Sequence, residues 1–122
     1  MRKTYLPVLA LTAAAAMTGP AFAHAHLEKA VPDGRVTVAS TLDSLQLFFT
    51  EGLEIALSGV AVTDAGHHAI QTGKPVLAAG DDREMVVPLH GPLPVGKYTV
   101  MWHAVAKDGH RTMGSYTFAI SH

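Results

Sequence analysis

Two short stretches, far apart in the chain, carry residues able to bind one metal ion together. The first is Ala21-Phe22-Ala23-His24-Ala25-His26, where small residues run into a histidine. Cleavage after Ala23 would give His24 both a free α-amine and an imidazole, which close a six-membered chelate ring through Nδ1. The second is Lys107-Asp108-Gly109-His110, with a carboxylate and an imidazole two residues apart. Cu(II) prefers tetragonal nitrogen and oxygen ligands and heads the divalent affinity order. His110 would supply a third nitrogen, and Asp108 an oxygen. Residues two apart on an extended chain share a face, so Asp108 and His110 can point at one ion if the turn is locally extended around Gly109. Asp-Gly is also an ordinary hairpin turn pair, and these residues alone favour the turn over the ligand.

The elements that position these residues are read from the rest of the chain. Arg2 and Lys3 precede an uncharged apolar run from Tyr5 to Met17, and Thr18-Gly19-Pro20 breaks it before Ala21 and Ala23. This order is that of a secretory signal. The run is shorter than the roughly 18 to 20 residues a membrane-spanning helix needs, so residues 1–23 are expected to be a cleaved signal. Ala23 and Ala25 define a competing cut that would leave His26 first. Residues 24–122 then form one domain, too short for two cores. Of nine basic residues, Arg2 and Lys3 leave with the signal, and seven then face ten acidic ones. No basic patch points to nucleic acid. The chain has no cysteine, so its core has no disulfide support, and both a lipoprotein anchor and a thiolate-ligated blue-copper centre are excluded.

Short β-rich runs separated by Gly, Pro and Asp predict an all-β sandwich. Leu45, Leu47 and Phe49 alternate with Gln46 and Thr50, with Phe48 on a second covered face. Val60 and Val62 form a run closed by the turn Thr63-Asp64-Ala65-Gly66. Met85, Val87 and Leu89 alternate, and Pro88 among them predicts an edge strand. Lys97 to Val105 and Gly114 to Ile120 form a hairpin, with Tyr98, Val100, Trp102 and Ala104 on one face and Met101, His103 and Val105 on the other. Asp108 and His110 sit on its turn, a loop braced by strong strands and a usual place for function.

The start His24-Ala25-His26-Leu27, then Val31-Pro32-Asp33-Gly34, Phe49-Thr50-Glu51-Gly52-Leu53, Tyr98-Thr99-Val100-Met101-Trp102, Asp108-Gly109-His110-Arg111-Thr112 and Gly114-Ser115-Tyr116-Thr117-Phe118 resemble the CopC family of periplasmic copper-resistance proteins. The resemblance spans nearly the whole of residues 24–122. It implies a small Greek-key, immunoglobulin-like (cupredoxin-like) β-sandwich or barrel of about seven strands, binding one Cu(II) per chain through an N-terminal histidine. It also decides for Asp108 as a ligand, and makes Glu51 an oxygen ligand or an acceptor that orients a histidine. A periplasmic location, a monomer and an inner-membrane copper transporter of the CopD type as partner follow from it too.

The other histidines and methionines are expected to have structural roles. His26 alternates away from His24, and His67-His68 reads as a solvated turn. His90 reads as loop and His122 as a frayed end. His103 is expected to be a partly buried, hydrogen-bonded imidazole, and Met85, Met101 and Met113 to be core or half-buried packing. No methionine lies between Met17 and Met85, where members of the family with a second, Cu(I) site tend to carry a methionine cluster, so the chain reads as a single-site, Cu(II)-only member. Three functions fit the residues: a copper carrier or sequestering protein, a secreted oxidative copper enzyme using the same histidine brace, or a metal-free immunoglobulin-like interaction domain. A carboxylate in the copper plane leaves little room for oxygen, and a short chain has few loops for a substrate surface. Both favour binding over catalysis.

Overall fold

The computed structural model describes residues 24–121; the expected signal, 1–23, and His122 lie outside the described residues. Strand formation follows the alternation of apolar side chains. β1 (Leu27–Val31), β3 (Ser44–Phe49), β6 (Val76–Ala78) and β7 (Asp81–Pro88) form an antiparallel sheet in the order β1-β3-β7-β6. The second sheet has the order β2-β9-β8-β4-β5, from β2 (Thr37–Ala39), β4 (Gly59–Thr63), β5 (Ala69–Ile70), β8 (Gly96–Val105) and β9 (Arg111–Ser121). A single turn of 3-10 helix spans Ile55–Leu57. The all-β sandwich expected from the pattern is the observed architecture. Its nine strands among the described residues exceed the expected seven through very short ones, such as the two-residue β5.

The two sheets bury the faces that alternation assigns to them. Leu45, Leu47, Phe49, Met85 and Val87 come from the first sheet, and Val62, Tyr98, Val100, Trp102, Phe118 and Ile120 from the second. Phe49 meets Trp102 edge-on across the core at 5.3 Å between centroids, a favoured aromatic geometry. Tyr98 and Phe118, cross-strand partners, stack at 5.3 Å. Phe48 is half-buried on the outer face, where Lys29 Nζ lies 4.7 Å from its ring centroid.

Pro88 departs from expectation. β7 is an inner strand, flanked by β3 and β6. However, β6 pairs no further along β7 than Val86, and at Pro88 the carbonyl oxygen accepts instead from the Gly73 N–H at 2.7 Å. A residue's N–H and C=O point to the same side of an antiparallel strand, so the donor Pro88 lacks would point where the ladder with β6 has already ended. The proline is tolerated because the edge is local.

The β8–β9 hairpin is the longest ladder, paired from Gly96↔Ile120 to Val105↔Arg111. Its turn carries Asp108 and His110 to one end of the sandwich. The segments before β1 and after β3 reach the same end from the other sheet, so this end gathers residues from three remote parts of the chain.

Candidate metal centre

The hairpin turn is tight. Gly109 takes φ +92°, a left-handed conformation that glycine adopts without steric cost, and its N–H bonds the Ala106 carbonyl at 2.8 Å. The His110 carbonyl accepts from the Ala106 N–H at 2.9 Å. Asp108 and His110 are therefore not brought together by local extension around Gly109, as the spacing argument required. They meet because the Asp108 carboxylate folds back over the turn: Oδ1 accepts the His110 backbone N–H at 3.0 Å, and Oδ2 lies 3.1 Å from His110 Nδ1. The His110 backbone N–H, more than its ring, holds the Asp108 carboxyl below the usual carboxylate range, with further help from the nearby His24. The carboxylate thus braces the imidazole, a common way of fixing a ligand ring's tautomer and orientation.

The turn is anchored to the segment after β3. Lys107 N–H donates to the Gly52 carbonyl at 3.1 Å, Glu54 N–H to the Val105 carbonyl at 2.8 Å, and Leu53 bridges to Ala106. Lys107 Nζ reaches Asp82 Oδ2 at 2.6 Å.

His24 arrives from the opposite sheet. Its ring stands 5.0 Å from that of His110, centroid to centroid and nearly perpendicular. The segment that delivers it is tied down on both sides. Thr50 Oγ1 donates to the His24 carbonyl at 3.0 Å and accepts from the His26 N–H at 3.0 Å, while the Thr50 N–H donates to the His26 carbonyl at 2.9 Å. Thr112 Oγ1 donates to the Ala25 carbonyl at 2.6 Å. Between the two histidines, the Ala25 side chain is wholly buried in the core. Thr50 and Thr112 are thus the positioning residues of this site. Both stand beside candidate ligand stretches, but nothing in local spacing marks a hydroxyl whose partner lies 26 or 87 residues away.

The remaining candidates are arranged less tightly. Glu51 is half-buried and shares a surface depression with Gly52, Asp82, Lys107 and Asp108, a lining that includes neither His24 nor His110. His26 is exposed, yet its ring lies 5.9 Å from that of His24 instead of turning away. His67 and His68 form the exposed turn expected of them, with His68 Nδ1 3.2 Å from Asp64 Oδ1. Among the described residues, no three His, Asp or Glu side chains converge as a ready-made metal cluster. What this end of the sandwich could offer a metal ion is the two imidazoles of His24 and His110 and the neighbouring Asp108 carboxylate, so a further donor would have to come from the backbone.

Two expectations on the outer face of β8 and β9 are overturned. Met85 is core, but Met101 and Met113 are 58% and 73% exposed, and His103 is exposed as well. Alternation places all three opposite the Trp102 face, where they are open to solvent, while Val105 further along the same face is buried.

A two-sheet β domain with a histidine pair and a carboxylate gathered on the loops at one end defines a class: small β-sandwiches with a loop-borne candidate metal site. Residues 27–121 match the CopC domain, and the chain belongs to the CopC domain family. It is 36% identical over 112 residues to Protein YobA of Escherichia coli strain K12, covering 92% of this chain and 90% of that protein. It is 35% identical over 106 residues to Copper resistance protein C of Escherichia coli, covering 82% and 83%. The fold is similar to the crystal structure of CopC from Methylosinus trichosporium OB3b, with a TM-score of 0.73 and 28% identity over 80% of this chain and 94% of that one. It is also similar to PcoC, described as a methionine-rich copper resistance protein from Escherichia coli, with a TM-score of 0.70 and 31% identity over 81% and 100%.

Proposed function

We propose that residues 1–23 are an export signal and that residues 24–122 bind one Cu(II) in the periplasm, sequestering copper or carrying it to an inner-membrane transporter. The protein acts as a monomeric binder and not as an enzyme. Copper is its cargo, held by the α-amine and imidazole of His24, the imidazole of His110 and the Asp108 carboxylate, with Glu51 as a neighbouring acceptor. The observation that carries this reading is the approach of the His24 and His110 rings to 5.0 Å on a segment fixed by Thr50 and Thr112. The relatives named for copper resistance support the choice of metal.

The burial of Ala25 supports cleavage before His24. A cut after Ala25 would discard a side chain packed in the core and the carbonyl that Thr112 bonds. The α-amine answers the shortage of side-chain donors, since it supplies the missing nitrogen without a further residue. All these donors bind only when deprotonated, so acid is expected to release the metal.

Acetylation of the α-amine of the protein cut before His24 tests the reading. It converts the amine into an amide with no free amine beside the histidine, and leaves every side chain in place. Affinity measured by chelator competition is expected to fall by several orders of magnitude, more than for His26→Ala. Equal affinity of the acetylated and unmodified proteins would place the site elsewhere.

A further inference from the structure

The hairpin turn sets a cation directly beside the candidate ligands. Lys107 precedes Asp108, and a free ammonium there would be drawn to the carboxylate that braces His110. In the structure it goes elsewhere. Lys107 Nζ lies 2.6 Å from Asp82 Oδ2, near the start of β7. This bond is the chief cause that holds the Asp82 carboxyl below its usual range and the Lys107 ammonium above its own. The Asp82 carboxylate fits its place only because residue 52 is glycine: a Cβ at Gly52 would stand 2.6 Å from Asp82 Oδ2 and 3.0 Å from its Cγ. The backbone joins the same three segments, with Leu53 N–H donating to the Asp82 carbonyl at 2.9 Å and Lys107 N–H to the Gly52 carbonyl at 3.1 Å. Three carboxylates, those of Glu51, Asp82 and Asp108, line one depression with Lys107. The ammonium takes the one that the copper reading leaves unused. An exposed ion pair adds little to stability, which leaves its effect on the neighbouring charges as what it can do.

We propose that Asp82 is a positioning residue of the metal centre, holding the Lys107 ammonium away from Asp108 so that this carboxylate stays available to the His110 ring and to Cu(II). The inference rests on the reading of Asp108 and His110 as copper ligands. Released from Asp82, Lys107 would pair with Asp108 or Glu51 in the same depression. That would set a positive charge beside a divalent cation, which like charges oppose, and would draw the Asp108 oxygen off the His110 N–H. The effect is one of charge, so salt screens it. A distortion of packing would have no such salt dependence.

The test compares D82N, K107Q and D82N/K107Q in the protein cut before His24. Asparagine keeps the size of Asp82 and removes its charge. In low salt, chelator competition should show D82N binding Cu(II) about threefold more weakly than wild type, within what an exposed charge pair supplies. K107Q and D82N/K107Q should match wild type, since without the ammonium there is nothing to restrain. The D82N loss should vanish in about 1 M salt, where the screening length is about 3 Å. G52A should reproduce the loss by pushing the Asp82 carboxylate aside, and K107Q should rescue that variant too. The metal-free protein gives an independent readout: the His110 amide, bonded to Asp108 Oδ1 at 3.0 Å, should exchange faster in D82N and recover in D82N/K107Q. A D82N loss that persists in the double variant or in high salt overturns the proposal, because Asp82 would then act through packing. Unchanged Cu(II) affinity in D82N overturns it as well. A wild type that binds no Cu(II) defeats the copper reading instead, and His110 exchange then decides on its own whether Asp82 restrains Lys107.

Discussion

Replacing Thr50 with valine keeps the side chain's shape and deletes the one oxygen that both donates to the His24 carbonyl and accepts from the His26 N–H. A net hydrogen bond contributes about 0.5 to 1.5 kcal/mol. The two together thus stabilise docking of the His24–His26 segment by roughly 1 to 3 kcal/mol, towards the lower end because water can reach part of the segment. The Thr112 bond, the Thr50 backbone bond and the buried Ala25 remain, so the segment stays mostly docked. Apparent affinity falls in proportion to the docked fraction, so T50V alone is expected to lose less than about twofold in Cu(II) affinity. T50V/T112V should lose substantially more than either single variant, because the tethers support one another. Chelator competition at neutral pH measures the affinity, and amide hydrogen exchange at Ala25 and His26 measures docking. Fast exchange in the double variant with undiminished Cu(II) affinity would refute the claim that tethering positions His24. Slow exchange would refute the tethering itself.

Three further outcomes follow from the packing. G114A should lower stability by about 1 to 3 kcal/mol through overpacking against the buried Trp102, because a Cβ at half-buried Gly114 would stand 2.6 Å from Trp102 Cζ2; thermal unfolding should show a clear drop, and an unchanged midpoint would contradict the contact. Y98F removes the hydroxyl that donates to the Pro94 carbonyl at 2.6 Å, and denaturant unfolding should show a loss of about 1 kcal/mol. Asp64 is held below the usual carboxylate range chiefly by the His68 N–H, and also by the Gly66 N–H and the His68 ring. Its folded value is the lower one, so its contribution is present above the ordinary carboxylate range and is lost as pH falls through the folded value. The stability gap between wild type and D64A should therefore narrow on acidification, and a gap that widens would reverse the assignment.

The sandwich was legible because its strands alternate cleanly: Leu45, Leu47, Phe49, Tyr98, Val100 and Trp102 all face the core that period-two patterning assigns them. The hairpin and its turn were legible for the same reason. The way Asp108 meets His110 was not, since a two-residue spacing cannot distinguish an extended strand from a carboxylate folded back over a left-handed glycine. Thr50 and Thr112 were invisible as tethers because their partners come from remote sequence. Met101 and Met113 were misjudged by type. Their alternation already set them opposite Trp102, but a hydrophobic residue on a strand reads as packed, and whether a second layer covers that face depends on the whole chain. Pro88 failed similarly, because where β6 stops pairing is a property of the neighbour and not of β7.

The buried Ala25 also orders events in time. A processing enzyme needs the chain on both sides of the cut bond extended and accessible, and in the folded domain the residues just after that bond are clasped by Thr50 and Thr112 with one methyl sunk in the core. On the proposed reading, cleavage before His24 therefore belongs ahead of folding. On that reading, a precursor that folded first would retain an amide where the proposed site uses an amine, and a delay in export would yield a folded protein weakened in copper binding.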